Sequence, residues 1–211
     1  DRVERQLQDL TWVAEQGIAH ERVVAWFVDH TQILPASLFT LYSTGQSLKA
    51  AAAARGDVIA AELKRLSGQR EWDLKVSYDA TALARAVGRF SSAVADLDRE
   101  LASAAPGRKF LLESKRAELT KTEVARTAGE QAEQILTALE PLTSETRALP
   151  LPQSKEPLPV VLHAALLVAR VNEEAVVARL EQERDRVAES GISVGFSGPW
   201  APYRFVHYAS D

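Results

Sequence analysis

The sequence predicts an α+β fold, and three observations carry that prediction. Two short runs, REWDLKV (70–76) and ISVGFSG (192–198), alternate apolar residues with polar or small ones, at the period of a half-buried strand. Between them lie long stretches with apolar residues at helical spacing. A third run, VVLHAALLVA (160–169), is apolar almost throughout, as a strand covered on both faces would be. The strand, helix, strand parsing of the last fifty residues favours that reading, although periodicity alone does not separate it from a buried helix. One antiparallel sheet follows, with REWDLKV and ISVGFSG flanking the 160–169 strand.

From Val3 to His30, Leu7, Leu10, Val13, Ile18, Val24 and Phe27 recur at helical spacing, with a possible break at Gly17. The next run, ILPASLFTLYS (33–43), is rich in β-formers but contains Pro35, so an edge or bulged strand is expected. Two Ala-rich helices follow, over Leu48 to Ala54 and Val58 to Leu66, closed by Ser67 and Gly68. After REWDLKV, Asp79 is a good N-cap for a helix running toward Ala104, and Pro106 and Gly107 stop it. A second long helix, Phe110 to Leu139, carries few large apolar residues and is expected to form a projecting hairpin with its neighbour. Four prolines make Arg147 to Pro159 an extended connector. Asn172 caps the last helix, whose face is Val176, Val177, Leu180 and Val187 and whose stop is Gly191. The domain boundary expected from this parsing falls at residue 68: 1–68 form an N-terminal α+β domain, 69–211 a C-terminal one carrying the helical insertion.

In the tail, Pro199 and Pro202 end the last strand, because a proline lacks the ladder donor. Trp200, Tyr203 and Phe205 then carry too much apolar surface for a free end, at roughly 1.5–3 kcal/mol each if buried. The expectation is a tail that packs back as a structural clamp built from Gly198, Pro199, Trp200, Pro202, Tyr203 and Phe205.

Composition narrows the function classes. A net charge of −4 gives no basic footprint for nucleic acid. No apolar run approaches the ~20 residues a membrane-spanning helix needs. Without Cys there is no disulfide framework and no thiolate metal site, so a cytoplasmic protein is the default. The absence of Met, even at position 1, suggests a trimmed chain.

The search for chemistry finds little. GFSGP (195–199) imitates a nucleophile elbow, but Pro199 replaces the final glycine and no helix follows. His20, His30, His163 and His207 lack metal-ligand spacing. Glu173, Glu174, Glu181 and Glu183 suit a helix N-terminus and a solvated face. No glycine-rich phosphate loop occurs, and the long helices hold no sustained heptad. Neither a cofactor nor a catalytic residue is assigned.

GPWAPYRFV (198–206) resembles the signature that ends members of the gas-vesicle protein GvpL/GvpF family. ILPASLFTLYS, REWDLKV, GRKFLLESKR (107–116) and LHAALLV resemble further stretches of that family, in its order. There are departures: Leu38, Phe39 and Thr40 stand where many members have Phe-Gly-Thr, and Ala201 replaces a commoner proline. The strands with which members begin are missing ahead of the first helix. The resemblance implies two modified ferredoxin-like domains, the first lacking its opening strands. It also implies an accessory or minor structural role in gas-vesicle formation in the cytoplasm, without enzymatic activity. Implied partners are the hydrophobic shell protein and other vesicle proteins. The Pro35 segment is then a candidate contact through its outward Ser37 and Thr40, while Leu34, Leu38, Phe39 and Leu41 are expected mainly to fill the first domain's core. The competing class is a small-ligand-binding or hydrolytic enzyme on the same scaffold, since fold does not settle function.

Overall fold

The computed structural model describes residues 5–152 and 157–207. Its helices and strands fall into two compact units, one holding the chain up to Trp72 together with the tail from Gly198, the other holding Asp73–Ser197.

The first unit is helical. Asp9 caps α1 (Leu10–His30), its side chain accepting from the Thr11 and Trp12 amides. The helix runs unbroken through Gly17, so the expected break is absent: one helical glycine costs only ~1 kcal/mol. Thr44 and Ser47 form a reciprocal capping box at the start of α2 (Gly45–Ala54), and α3 (Gly56–Arg65) follows after Arg55.

The expected strand over Ile33–Ser43 does not form. Residues 32–37 lack regular structure, and the chain turns at Leu38 and Phe39, where Phe39 takes a φ of 65°. The Thr40 amide and hydroxyl both donate to the Ser37 carbonyl, at 3.0 and 2.7 Å. β-forming side chains do not make a strand without a neighbouring ladder, and among the described residues none lies alongside this segment.

The second unit is built on a four-stranded antiparallel sheet, to which β1 (Gln69–Tyr78), β2 (Glu145–Ala148), β3 (Val160–Ala169) and β4 (Ile192–Trp200) contribute in the order β2-β3-β1-β4. Leu74 and Val76 of β1 and Ala164, Leu166 and Val168 of β3 are fully buried, as expected for central strands. β2 pairs with β3 from Glu145↔Leu167 to Ala148↔Ala164. This corrects one expectation. The ISVGFSG strand does not flank β3 but lies beyond β1, because the crossover through α7 (Glu173–Arg186) carries the chain past the neighbouring strand. β3's other side is taken by β2, whose last two residues, Arg147 and Ala148, begin the stretch expected to be an extended connector. Residues 153–156 of that connector lie outside the described residues.

The helix expected from Asp79 to Ala104 is two helices. α4 (Ala80–Ala86), capped by Asp79, passes into a 3-10 turn over Val87–Arg89, and Ser91 caps α5 (Ser92–Ser103). The Ser91 hydroxyl also donates to Glu123 at 2.6 Å, tying this break to α6 (Pro106–Leu139). α6 spans roughly 50 Å by helical rise. Its second half is core, burying Ala128, Ile135 and Leu139 against β3 and α7. Its first half projects, with Phe110 and Leu111 exposed at the α5–α6 tip. Gly191, at φ 87°, allows the tight return into β4, since a Cβ there would stand 2.7 Å from Leu83 N.

Candidate functional site

Two features of the first unit are candidates: the anchored tail and the apolar surface around α1 and residues 31–44. The tail is fixed by buried carboxylates. Glu71, almost fully buried at the start of β1, accepts from the Arg204 amide at 2.9 Å and from its Nη1 at 2.7 Å. Glu62, on α3, takes a fork from Arg65 Nε and Nη2 at 2.9 and 2.8 Å and a third bond from the His207 amide at 2.9 Å. The Arg65 guanidinium, outweighing the penalty of burial, holds the Glu62 carboxyl at a pKa of about 2. Arg65 also donates to the Phe205 carbonyl. Tyr203 Oη lies 3.3 Å from Glu21 and 3.2 Å from His20 Nε2 on α1.

Of the predicted clamp residues, Phe205 is fully buried and Pro202 buried beside Ala201. Tyr203 is part-buried, whereas Trp200 remains 41% exposed. Gly198 has a φ of 146°, and a Cβ on it would meet the Trp72 ring at 2.8 Å and the Glu71 carbonyl at 3.0 Å, so glycine is needed near the end of β4, which runs on through Pro199 to Trp200 instead of stopping at that proline as expected. Sequence reasoning missed Glu62 and Glu71. Each sits in a stretch with the look of a solvated face, and only partners more than 130 residues away reveal its use.

The apolar surface departs further from expectation. Leu41 is 69% exposed, and Leu38 is also exposed, so these leucines do not fill a core. Phe39 instead stacks on Trp12 of α1, centroids 5.8 Å apart. Leu10 of α1 is 81% exposed, and Ile18, Val23 and Trp26 are more than half exposed. Trp26 stacks on His30 at 4.3 Å. A helix with apolar residues on its solvent side is the surface pattern of an interaction element. Ser37 and Thr40 are exposed in the turn of the adjoining segment.

No arrangement among the described residues groups three His, Asp or Glu side chains for a metal ion. His163 on β3 faces Asp73 at 3.2 Å and the Pro150 carbonyl at 3.1 Å, an arrangement that holds the ring in place within the sheet. Ser197 of the GFSGP run stays in β4 rather than at a strand-to-helix turn. No described helix is long and apolar enough to cross a membrane.

The gas vesicle synthesis protein GvpL/GvpF family model matches residues 2–207. The chain belongs to this family. It is 29% identical over 209 residues to Gas vesicle protein L of Streptomyces sp. (strain CB03234), a match covering 97% of this chain and 74% of that protein. Among solved structures, it resembles the crystal structure of gas vesicle protein GvpF from Anabaena sp. PCC7120 with a TM-score of 0.66 at 16% identity, covering 92% of this chain and 78% of that one. The corresponding values for GvpF from Microcystis aeruginosa are 0.63, 18%, 90% and 77%. At those identities the GvpF structures establish the shared fold. Membership of the GvpL/GvpF family gives the chain a role in gas-vesicle assembly.

Proposed function

We propose that this GvpL/GvpF protein is a non-enzymatic accessory or minor structural component of gas-vesicle assembly, working in the cytoplasm and at the vesicle, which binds the hydrophobic shell protein and other vesicle proteins through its first unit. The observation that carries the reading is the exposed apolar surface of α1 and residues 31–44, where Leu10, Ile18, Trp26 and Leu41 face solvent. A partner with apolar surface of its own gains from such a face, at about 25 cal/mol per Å² removed from water. Ser37 and Thr40 lie in the middle of it and serve as outward contacts. In the same reading, residues 1–68 and 69–211 are two functional domains of modified ferredoxin-like type. The β2-β3-β1-β4 sheet, with three helices between β1 and β2 and one between β3 and β4, supports that type, enlarged by inserted helices, for the second. For the first, the support is family membership alone.

The test is a pull-down with purified shell protein against wild type, Ser37→Glu and Thr40→Lys. Binding falls in the variants while the thermal transition stays in place. Equal capture at unchanged stability moves the partner surface away from this segment.

A further inference from the structure

The two edges of the four-stranded sheet are built differently. β2, at one edge, is four residues long, holds Glu145 and Arg147 in an ion pair at 2.9 Å, and runs toward Pro150 and Pro152. Short length, charge and proline are the means by which an edge strand is kept from pairing with another chain. β4, at the opposite edge, has nine residues, and no charged side chain occurs at positions 190–203. Only its far end is blunted, by Pro199, so 192–197 remain as a neutral edge.

The side chains along this run suit a second copy of the same strand. Ser193, Gly195 and Ser197 are exposed and form one small, uncharged face, while on the other face Ile192 and Val194 are buried and Phe196 is part-buried. Gly195 sits mid-strand, yet a Cβ there would meet only the Lys75 carbonyl oxygen at 3.8 Å, so packing within the molecule does not require a glycine. A glycine in a strand interior weakens the strand and often marks a place where another backbone comes close. An antiparallel pair of β4 strands with its two-fold axis at Gly195 sets Ser193 opposite Ser197, and Val194 opposite Phe196, of the other copy. No like charges meet, and each Phe196 ring gains a β-branched neighbour across the pair.

We infer that β4 pairs antiparallel with β4 of a second copy about Gly195, joining two four-stranded sheets into one of eight strands. The contact is isologous, so association closes at a dimer. It draws on residues of the second unit and not on the α1 surface, which takes it beyond the partner reading above.

Sedimentation velocity of the purified full chain from about 5 to 500 μM tests the inference, and wild type passes from monomer to dimer and no further, in the affinity range of a small interface. The chain has no cysteine, so single introduced cysteines report the register. Directly opposite Cα atoms lie about 4.5–5.5 Å apart, within disulfide range, whereas the two positions 193 would stand roughly 14 Å apart. With diamide as oxidant, Gly195→Cys therefore cross-links to a dimer at least tenfold faster than Ser193→Cys at equal concentration. Ser193→Lys with Ser197→Lys weakens the dimer at least tenfold, and Ser193→Lys with Ser197→Glu restores it, because opposite charges then face each other across the strands. Both chains alter the same two positions, so an effect on folding common to them cancels in the comparison. A wild type that stays monomeric or grows beyond a dimer, equal cross-linking of the two cysteine variants, or equal association of the two charge variants overturns the inference.

Discussion

At Gly198 a single missing Cβ decides whether the tail can lie where it does. The φ of 146° is one that L side chains rarely adopt, and the space is closed by the Trp72 ring and the Glu71 carbonyl. Gly198→Ala is therefore expected to lower stability by roughly 2–4 kcal/mol, from backbone strain and overpacking together, measured as a shift in the urea midpoint. Glu62 has a different signature. Its folded pKa of about 2 lies below the ordinary 4.5, so its contribution to stability is complete above the ordinary value and is lost as pH falls toward 2. From roughly pH 5 down to about pH 2, wild type should lose more melting temperature than Glu62→Gln, which has no carboxyl to protonate. Parallel melting curves for the two proteins across that range would refute the assignment. At the tail's aromatics, Phe205→Ala should cost about 3–5 kcal/mol because the ring is fully buried, and Trp200→Ala clearly less because the indole is part-exposed.

Among the elements, those whose determinants are local are legible in the amino-acid sequence. β1 and β4 show their alternation there, Asp79 is read as a helix cap, and Val176, Leu180 and Val187 form the buried stripe of α7, whereas the caps at Asp9 and Ser91 emerge only in the structure. What is not legible depends on residues distant in the chain. Leu34 to Tyr42 have the side chains of a strand, but a strand exists only through a partner's hydrogen bonds, and the run folds as a turn at Phe39. β2 is only four residues long and abuts a proline-rich connector, so its pairing with Ala164 to Leu167 leaves no periodic trace. The tail motif marks the right place, yet its anchors Glu62 and Glu71 are invisible in it, because a buried carboxylate and a solvated one share one letter. The break between α4 and α5 yields an element-scale prediction. Ser91→Ala removes both an N-cap and the hydroxyl donated to Glu123, and should cost about 1–2 kcal/mol, read from the melting transition.

For the whole molecule, the division into units makes the tail part of the first unit although it follows the second in the chain. Ending the chain after Ser197 is expected to raise amide exchange throughout α1 to α3 by an order of magnitude or more, while Leu74, Val76 and Leu166 in the sheet stay protected. Uniform loss of protection in both units would show that the tail's effect is not confined to the first. The Glu71–Arg204 bond also spans 133 positions of sequence. On a ribosome adding about 5–20 residues per second, Glu71 therefore waits roughly 7–27 s for the arginine that neutralises it. Near the end of that interval the second unit has all its residues before the first does, so the newborn chain can complete its middle first. Its amino-terminal helices are left dependent on whatever else in the crowded surroundings attends them until synthesis reaches the last turn.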